Sequence, residues 1–289
     1  MSAVLVSSSP SPARPELAGG PAPEFDFAAR DFERVRTLIR ERAGIHLQSG
    51  KHAMMYSRLS RRLRETGHRS AASYLEWLER NAASNEWQQF VNCLTTNRTA
   101  FFREDHHFDV LAAELKARRS TPMRIWCSAA STGEEPYSLA MTCIESLGAH
   151  PPVDILATDI DTDVLAAASK GVYGADAQGL TKPRLHAHFL RGKGPNHGFI
   201  RVKPELVGLV EFAPLNLMDA VYSIGRAFDI VFCRNVLMYF DARTQRKVLE
   251  NVHSVMKPSG LLFVGHAENL SEARDLFRLR GKTVYDRRQ

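Results

Sequence analysis

One segment near the middle of the chain has the composition of a strand, a tight loop and a helix in immediate succession. Residues 124–137 read RIWCSAASTGEEPY, with an apolar run, then small residues, then Gly133 and two glutamates. Small side chains leave a loop backbone open to a ligand, and such a loop before a helix is typical of phosphate binding. Here Glu134 or Glu135 would repel an anion. The segment predicts a ligand with a cationic or polyhydroxyl part, although an ordinary strand–helix turn also favours small residues and an acidic first turn.

Apolar strand patterns alternate with helical patterns from residue 123 onward. Strand patterns lie at 123–127, 153–158, 228–233 and 260–264, and helical patterns at 134–147, 161–169 and 242–256. This alternation is typical of a doubly wound parallel α/β sheet. The segment 171–211 does not follow it. Its two short alternating runs, 199–202 and 206–212, predict an inserted β-hairpin or small β-subdomain at about 190–212.

The first third of the chain has helical periodicity and no strand pattern. Residues 25–96 predict a small all-α domain, with helices at about 51–65, 73–81 and 84–94 after a first helix that contains Phe32 and Val35. Residues 1–24 are rich in serine, proline, alanine and glycine and predict a disordered tail. We expect residues 97–122 to form a linker and a helix that contribute to a cleft, and 123–289 to form the α/β domain.

The positive charge of the chain is concentrated in the helical region. Residues 30–69 contain eleven lysine or arginine residues and four acidic ones, a local surplus of +7 in a chain whose net charge is +6. In the predicted helix at 51–65, an apolar stripe leaves Arg58, Arg61, Arg62 and Arg64 on the remaining arc. A solvated basic face is the ordinary interpretation. The preference for arginine over lysine favours recognition of an acidic partner.

Cysteine usage and hydropathy bound the class of protein. The four cysteines lie in or beside apolar runs without CxxC spacing, so we expect reduced core residues in a cytoplasmic protein, with neither disulfides nor a metal site. No apolar run approaches the roughly 20 residues that span a bilayer, and the N-terminus lacks the basic region of a signal peptide. We therefore expect no membrane insertion.

The end of the second predicted strand carries an acidic residue. Asp159 lies 26 residues after Gly133, and in doubly wound nucleotide folds an acid about 20 residues past the glycine loop binds the ribose hydroxyls. Asp161 is typical of a helix N-cap. Together with the loop before Glu134, Asp159 indicates an adenosine-type ligand.

Two further segments place polar residues near this ligand. Asn97, Thr99 and Arg103 lie at the junction of the two regions, a favoured position for a ligand cleft, although a capped linker would use the same residues. Asn235 and Tyr239 follow the buried strand at 228–233, and ligands bind outside the carboxyl ends of such strands. Tyr239 is also compatible with a half-buried aromatic whose hydroxyl meets water.

Five segments in this order resemble the CheR family of chemotaxis receptor glutamate methyltransferases. They are TTNRTAFFRED, SAASTGEEPYS, ATDIDTDVL, APLNL and CRNVLMYF, and the resemblance covers about residues 27–286. It implies a Rossmann-like class I S-adenosylmethionine methyltransferase domain after a small all-α domain. It also implies methyl transfer from S-adenosylmethionine to glutamates in the cytoplasmic helical region of chemoreceptors, with S-adenosylhomocysteine as product.

The resemblance assigns roles to individual residues. The implied cofactor contacts are Asn97, Thr99, Arg103, Glu134, Asp159, Asn216, Leu217, Arg234 and Asn235. Arg103 and Tyr239 would flank the transferred methyl group. Glu134 is assigned in preference to its neighbour Glu135, a choice that the sequence leaves open. Arg58, Arg61, Arg62 and Arg64 would dock the acidic receptor helix, and the glycine-rich segment 191–195 is similar to that of members whose β-subdomain binds a receptor C-terminal tail peptide.

Three other functions are compatible with parts of the sequence. A nucleic-acid or amine methyltransferase would also use a basic helical region, but residues 235–238 lack the proline pair of enzymes that methylate base amino groups. A non-catalytic receptor-binding adaptor would retain the fold. An NAD-dependent dehydrogenase is disfavoured because the loop lacks GxGxxG and its acids oppose a pyrophosphate.

Overall fold

A small helical module precedes the sheet of this protein. The computed structural model describes residues 24–289, so the disordered tail predicted for residues 1–24 lies, apart from its last residue, outside the described residues. The first five helices are α1 (Ala29–Ala43), α2 (His52–Thr66), α3 (Ala71–Arg80), α4 (Glu86–Leu94) and α5 (His106–Ala117). The first four pack around a shared apolar core.

Local signals explain where these helices begin and end. Gly67 follows α2 with a φ of 73°, a left-handed cap that glycine adopts without strain. The hydroxyl of Ser70 caps α3 by accepting a hydrogen bond from the Ser73 N–H. Asn85 is the N-cap of α4, and the hydroxyl of Ser84, the residue before it, accepts from the N–H of Glu86 at the start of that helix. Met55, on the predicted apolar stripe of α2, is fully buried.

Strands and helices then alternate through the rest of the chain. The strands are β1 (Met123–Cys127), β2 (Val153–Asp159), β3 (Val172–Gly174), β4 (Phe189–Arg191), β5 (Phe199–Val202), β6 (Val210–Pro214), β7 (Phe228–Phe232), β8 (Met256–Phe263), β9 (Phe277–Gly281) and β10 (Val284–Arg287). The helices between them are α6 (Glu134–Leu147), α7 (Thr162–Lys170), α8 (Lys182–His188), α9 (Pro204–Val207) and α10 (Ala242–Ser254).

The main sheet has seven strands in the order β6-β2-β1-β7-β8-β10-β9. The first five pair in parallel, and β10 runs antiparallel to both of its neighbours. This confirms the predicted doubly wound fold. Because β1 pairs with β2 on one side and β7 on the other, the strand order reverses there, and the carboxyl ends of these strands form the crevice where such folds bind ligands.

The insertion is a small β-subdomain, one of the two predicted forms, but its strands lie within residues 172–202 and not at about 190–212. A separate three-stranded sheet has the order β3-β5-β4 and includes the first predicted run, 199–202. The second run, 206–212, was wrongly predicted as its partner strand. It is divided between the short helix α9 and β6, and β6 pairs with β2 at the edge of the main sheet. The alternation along 206–212 was insufficient to show which sheet the strand would join.

Apolar side chains cover both faces of the main sheet. Phe232 and Phe263 stack with ring centroids 4.3 Å apart in the cluster on one face, and Trp126 is fully buried in the other. The cysteines are all free thiols, three buried and Cys93 partly so. Among residues 24–289, no helix combines the length and apolar character needed to cross a bilayer.

Candidate active site

A cavity of about 420 Å³ lies at the strand-order reversal of the main sheet. The end of α1, the segment between α1 and α2 and the start of α2 form one wall, which is lined by Ala43, Ile45, His46, Leu47, Gln48, Lys51 and Met54. Two hydrogen bonds hold this wall to the α/β domain. The His46 N–H donates to the carbonyl of Tyr239, and the Asn216 side-chain amide donates to the carbonyl of Arg42, each at 2.7 Å. The cleft is therefore built from both parts of the chain.

The cleft brings together nine of the ten residues that the sequence assigned to cofactor binding and catalysis. The nine are Asn97, Thr99, Arg103, Asp159, Asn216, Leu217, Arg234, Asn235 and Tyr239. They come from the linker before α5 and from the carboxyl ends of β2, β6 and β7. Glu134 does not line the cavity, and its neighbour Glu135 does.

The two glutamates at the start of α6 have different environments. Glu135 accepts hydrogen bonds from Arg234 at 2.7 Å and from the Cys127 thiol at 3.2 Å. Glu134 accepts from the hydroxyl of Thr132 at 2.6 Å. Burial raises the pKa of both carboxyl groups, and the Arg234 charge partly offsets this for Glu135. The structure thus places Glu135, and not the assigned Glu134, at the cleft wall.

Asp159 fixes the loop between β1 and α6. Its carboxylate accepts from the backbone N–H groups of Ser131 at 2.8 Å and Asp161 at 3.0 Å, and burial raises its pKa. Gly133 in the same loop has a φ of 98°, and a Cβ there would lie 2.7 Å from the Tyr173 hydroxyl. The loop therefore requires glycine at this position. Asp159 lies at the cleft as predicted.

Asp161 joins the linker to the sheet. It caps α7 by accepting from the N–H groups of Asp163 and Val164, as the sequence predicted. Its second carboxylate oxygen accepts from the Thr95 hydroxyl at 2.6 Å and the Asn97 amide at 2.7 Å. Asn97 is thus oriented before any ligand binds, and its side chain stays at the cleft wall.

Arg234 is a buried cation between two carboxylates. It is 3% exposed and pairs with Glu135 and with Glu104 at 3.2 Å, while also donating to the carbonyl of Arg103. Burial alone would raise the pKa of Glu104, but the hydrogen bond from His266 and the Arg234 charge outweigh it and lower the pKa to about 2. Arg234 therefore fixes the backbone of Arg103, whose side chain remains half-exposed in the cleft.

Asn235 and Tyr239 belong to a turn that follows β7. Asn235 has a φ of 57°, in the left-handed region that asparagine tolerates better than most residues. Residues Leu237–Tyr239 form a single 3-10 turn. Sequence reasoning missed Glu268 and Glu104, which bind this turn through hydrogen bonds. An acid within GHAEN, after the strand pattern at 260–264, was the only signal for Glu268.

All four arginines predicted for docking on α2 have partners within the protein. Arg58 donates to the carbonyls of Leu94 and Thr95, and Arg62 pairs with Glu86 while its side chain is 13% exposed. These two residues brace α4 and the linker, and their role in docking stays a prediction. Arg61 pairs with Glu65 and Arg64 with Glu24, but both arginines are exposed, with side chains 77% and 55% accessible. None of the four lines the cleft.

The contents of the cleft fit S-adenosylmethionine. A volume of about 420 Å³ is in the range of small-molecule sites. Glu135 and Asp159 supply carboxylates that would suit the cationic amino acid part and the ribose hydroxyls of the cofactor. No cluster of three or more His, Cys, Asp or Glu side chains in the described part of the chain is arranged to bind a metal ion.

A doubly wound sheet with an acid-lined cleft at its switch point indicates the class of S-adenosylmethionine-dependent methyltransferases. Residues 97–285 match the sequence model described as the CheR methyltransferase SAM binding domain. Residues 30–95 match the one described as the CheR methyltransferase all-alpha domain. The chain belongs to the CheR methyltransferase family.

Two related proteins are similar in sequence to this chain over most of their length. The chain is 50% identical over 256 residues to a chemotaxis protein methyltransferase of Escherichia coli (strain K12), covering 88% of this chain and 89% of that protein. It is 49% identical over 266 residues to chemotaxis protein methyltransferase 2 of Pseudomonas aeruginosa, covering 91% and 94%. The predicted family, fold class and cofactor are confirmed, which removes the dehydrogenase alternative.

Proposed function

We propose that this protein transfers the methyl group of S-adenosylmethionine to glutamate side chains of chemoreceptor cytoplasmic helices, forming glutamyl methyl esters for chemotactic adaptation. The observation that carries the proposal is the convergence of nine assigned residues in one cleft. Family membership and relatives that are chemotaxis protein methyltransferases support the receptor as substrate.

The chemistry requires positioning more than acid–base catalysis. Bound in the cleft, S-adenosylmethionine supplies an activated methyl group. A substrate glutamate has an ordinary pKa of about 4.3 and is already ionised at neutral pH, so no general base is needed. The Arg103 guanidinium orients this carboxylate, and the Tyr239 hydroxyl flanks the reacting centre. The protein then gains rate by holding the groups at roughly 3–3.5 Å in a near-attack arrangement.

A methyl-transfer assay with receptor-containing membranes tests this function. Labelled methyl on the receptor that is released as methanol in alkali supports a glutamyl ester. Base-stable label on RNA or on an amine would support the nucleic-acid or amine methyltransferase instead. If calorimetry detected no S-adenosylmethionine binding, the adaptor alternative would replace the enzyme.

We place substrate docking on the exposed side of α2. Arg61 and Arg64 are exposed, and Lys51, the residue just before this helix, is also exposed and lines the cleft. This basic surface suits a receptor helix rich in glutamate, and charge complementarity of this kind chiefly speeds association and fixes register.

The three-stranded sheet supplies a second surface, for a receptor C-terminal tail peptide. Val172 and Leu190 both pair with Arg201 across β5, so these residues share one face with Phe199. Val172, Leu190 and Phe199 are 47%, 50% and 50% exposed. An apolar face beside a basic side chain suits a short peptide with an apolar side chain and a terminal carboxylate.

Calorimetric titration of tail peptides tests this surface. Phe199→Ser should abolish binding, whereas Val221→Ser should leave it unchanged, since Val221 is a 76% exposed apolar residue elsewhere. Absence of binding to the unmodified protein would remove the proposal.

We also propose that the protein is cytoplasmic and is recruited to receptor arrays. A fluorescent fusion that stayed diffuse whether or not receptors were present would contradict this recruitment.

A further inference from the structure

Glu268 is a buried carboxylate behind the turn that carries Asn235 and Tyr239. It is 6% exposed. One carboxylate oxygen accepts from the backbone N–H groups of Leu237 at 2.8 Å and Met238 at 3.4 Å. The other accepts from the N–H groups of Asn235 at 2.9 Å and Gly265 at 2.6 Å. Three of these four donors belong to the cleft turn.

This carboxylate is held by backbone dipoles alone. Within residues 24–289, Glu268 takes part in no ion pair. A buried carboxylate is costly unless hydrogen bonds satisfy it, so the four donors have to keep their positions around it. The conformation of the turn, including the left-handed φ of Asn235, is thereby tied to Glu268.

The space around Glu268 is also limited. A Cβ added at Gly265 would collide with the side-chain nitrogen of Asn235 and would lie 3.0 Å from the Glu268 carboxylate. The close approach of the turn after β8 to the turn after β7 therefore depends on glycine. Any side chain at position 265 would displace the cleft turn or the carboxylate.

The same turn after β8 is also joined to the linker segment that carries Arg103. His266 donates to Glu104 from its backbone N–H at 3.1 Å and from its ring Nδ1 at 3.0 Å. Glu104 directly follows Arg103 in the chain and also accepts from the Asn235 amide at 3.3 Å. Residues 265–268 thus contact the segments that carry Arg103 and Tyr239.

We propose that residues 265–268 set the spacing between Arg103 and Tyr239, and that Glu268 is the positioning residue of this turn. The inference rests on the proposed roles of Arg103 and Tyr239 in methyl transfer. Glu268 itself lies behind the turn and does not line the cavity. Its main effect is on the geometry of the reacting groups, and its effect on cofactor affinity, through Asn235, is smaller.

The test compares Glu268→Gln with the unmodified protein in the receptor methylation assay. The glutamine side chain is similar in size to glutamate. Its NH2 group is a donor, and it would face backbone N–H groups that the carboxylate oxygen had accepted from. We expect kcat to fall at least ~10-fold, because a misplacement of about 1 Å costs up to ~10²-fold in rate. The Kd for S-adenosylhomocysteine should stay within about threefold, since binding is spread over many contacts of the cleft.

Asp229→Asn is the matched control for burial. Asp229 is 5% exposed and accepts from the Arg124 N–H and from Lys257, at the other end of β7. This variant should lower the melting temperature without lowering kcat. Gly265→Ala disturbs the same turn from another position and should reproduce the kcat loss, which keeps the test valid if Glu268→Gln does not fold.

The outcomes separate this inference from the proposed function. If the unmodified protein does not form a base-labile ester, the proposed function is wrong. If that protein is active, normal kcat in both Glu268→Gln and Gly265→Ala overturns the positioning role. It is also overturned if Asp229→Asn loses kcat to the same extent, or if the variants lose cofactor affinity while kcat is retained.

Discussion

Arg234 has almost no contact with solvent, and its charge is balanced by carboxylates from two separate segments. Glu135 approaches from the start of α6 and Glu104 from the linker before α5. Removing one member of such a buried group leaves an uncompensated charge, which is strongly destabilising. The resemblance identified Arg234 as a cofactor contact. Its position indicates a further role, because it fixes the wall from which Arg103 reaches into the cleft.

The choice between the two adjacent glutamates can be tested directly. Glu135→Gln should weaken binding of S-adenosylmethionine roughly 10-fold or more, the effect of losing a hydrogen bond to a charged group. Glu134→Gln is the matched control, because it changes the same chemical group outside the cleft lining. Isothermal titration calorimetry gives both affinities. A larger loss for Glu134→Gln than for Glu135→Gln would restore the original assignment.

Arg103 is the second residue with a specific expectation. Its guanidinium donates to the Arg98 carbonyl at 3.1 Å and is otherwise open to the cleft. Arg103→Ala should lower methyl transfer by at least ~10²-fold, the scale of losing one oriented polar group in an active site. Arg119→Ala, an exposed arginine after α5, should have normal turnover. Near-normal turnover of Arg103→Ala in the receptor assay would reject its role.

At the scale of elements, sequence periodicity predicted the type and position of helices and strands well. It predicted poorly which strands pair with each other. The pattern at 134–147 gave the bounds of α6 as they are found. The strand predicted at 260–264 begins earlier, at Met256, because Pro258 and Ser259 are typical of a turn and hid its first half. Nothing local showed that β6 would join the main sheet, since strand pairing depends on residues far away in sequence.

The basic helix α2 also shows that local sequence does not reveal which distant groups a residue contacts. Arginine density predicted a docking surface, yet Arg58 and Arg62 bind groups within the protein that no spacing rule could identify. The double variant Arg61→Glu with Arg64→Glu should weaken receptor binding severalfold, more at low than at high salt, because exposed charges act mainly on association. Cofactor affinity should not change, as neither residue lines the cleft.

Arg80→Glu provides the control for this surface. Arg80 lies at the end of α3, is 74% exposed and pairs with Glu76, so it resembles Arg61 in accessibility and pairing. Receptor pull-down or surface plasmon resonance at two salt concentrations measures the effect. Equal weakening by Arg80→Glu would show that net charge of the module matters, and not the position on α2.

At the scale of the whole molecule, only some of the residues that form the cleft could be predicted from the sequence. The residues at strand ends were predictable because the carboxyl edge of a doubly wound sheet is where ligands bind. His46 and Leu47 were missed, because a loop between two helices gives no sign of the domain it will cover. The module and the sheet domain meet through Arg40 and Asp241, 2.6 Å apart, as well as through the cleft.

Long-range packing also predicts how stability depends on pH. His107 on α5 is fully buried, and its Nε2 donates to the Lys282 carbonyl at 3.1 Å and contacts the Thr283 hydroxyl at 3.0 Å. Burial first, then the charge of Arg234, lower the pKa of His107 to about 4. The ring is therefore neutral in the folded protein at pH values where an unfolded histidine, with a pKa of about 6.5, binds a proton.

The unfolding free energy should consequently fall by roughly 2 kcal/mol between about pH 7.5 and pH 5, because only the unfolded state takes up a proton there. Urea unfolding at several pH values measures this slope. His107→Gln keeps a donor for the Lys282 carbonyl and should flatten the slope, whereas His197→Gln at an exposed position should not. Glu104, with its pKa of about 2, loses its contribution only at lower pH. An unchanged slope in His107→Gln would show that the protonation of other groups governs the acid stability of the protein.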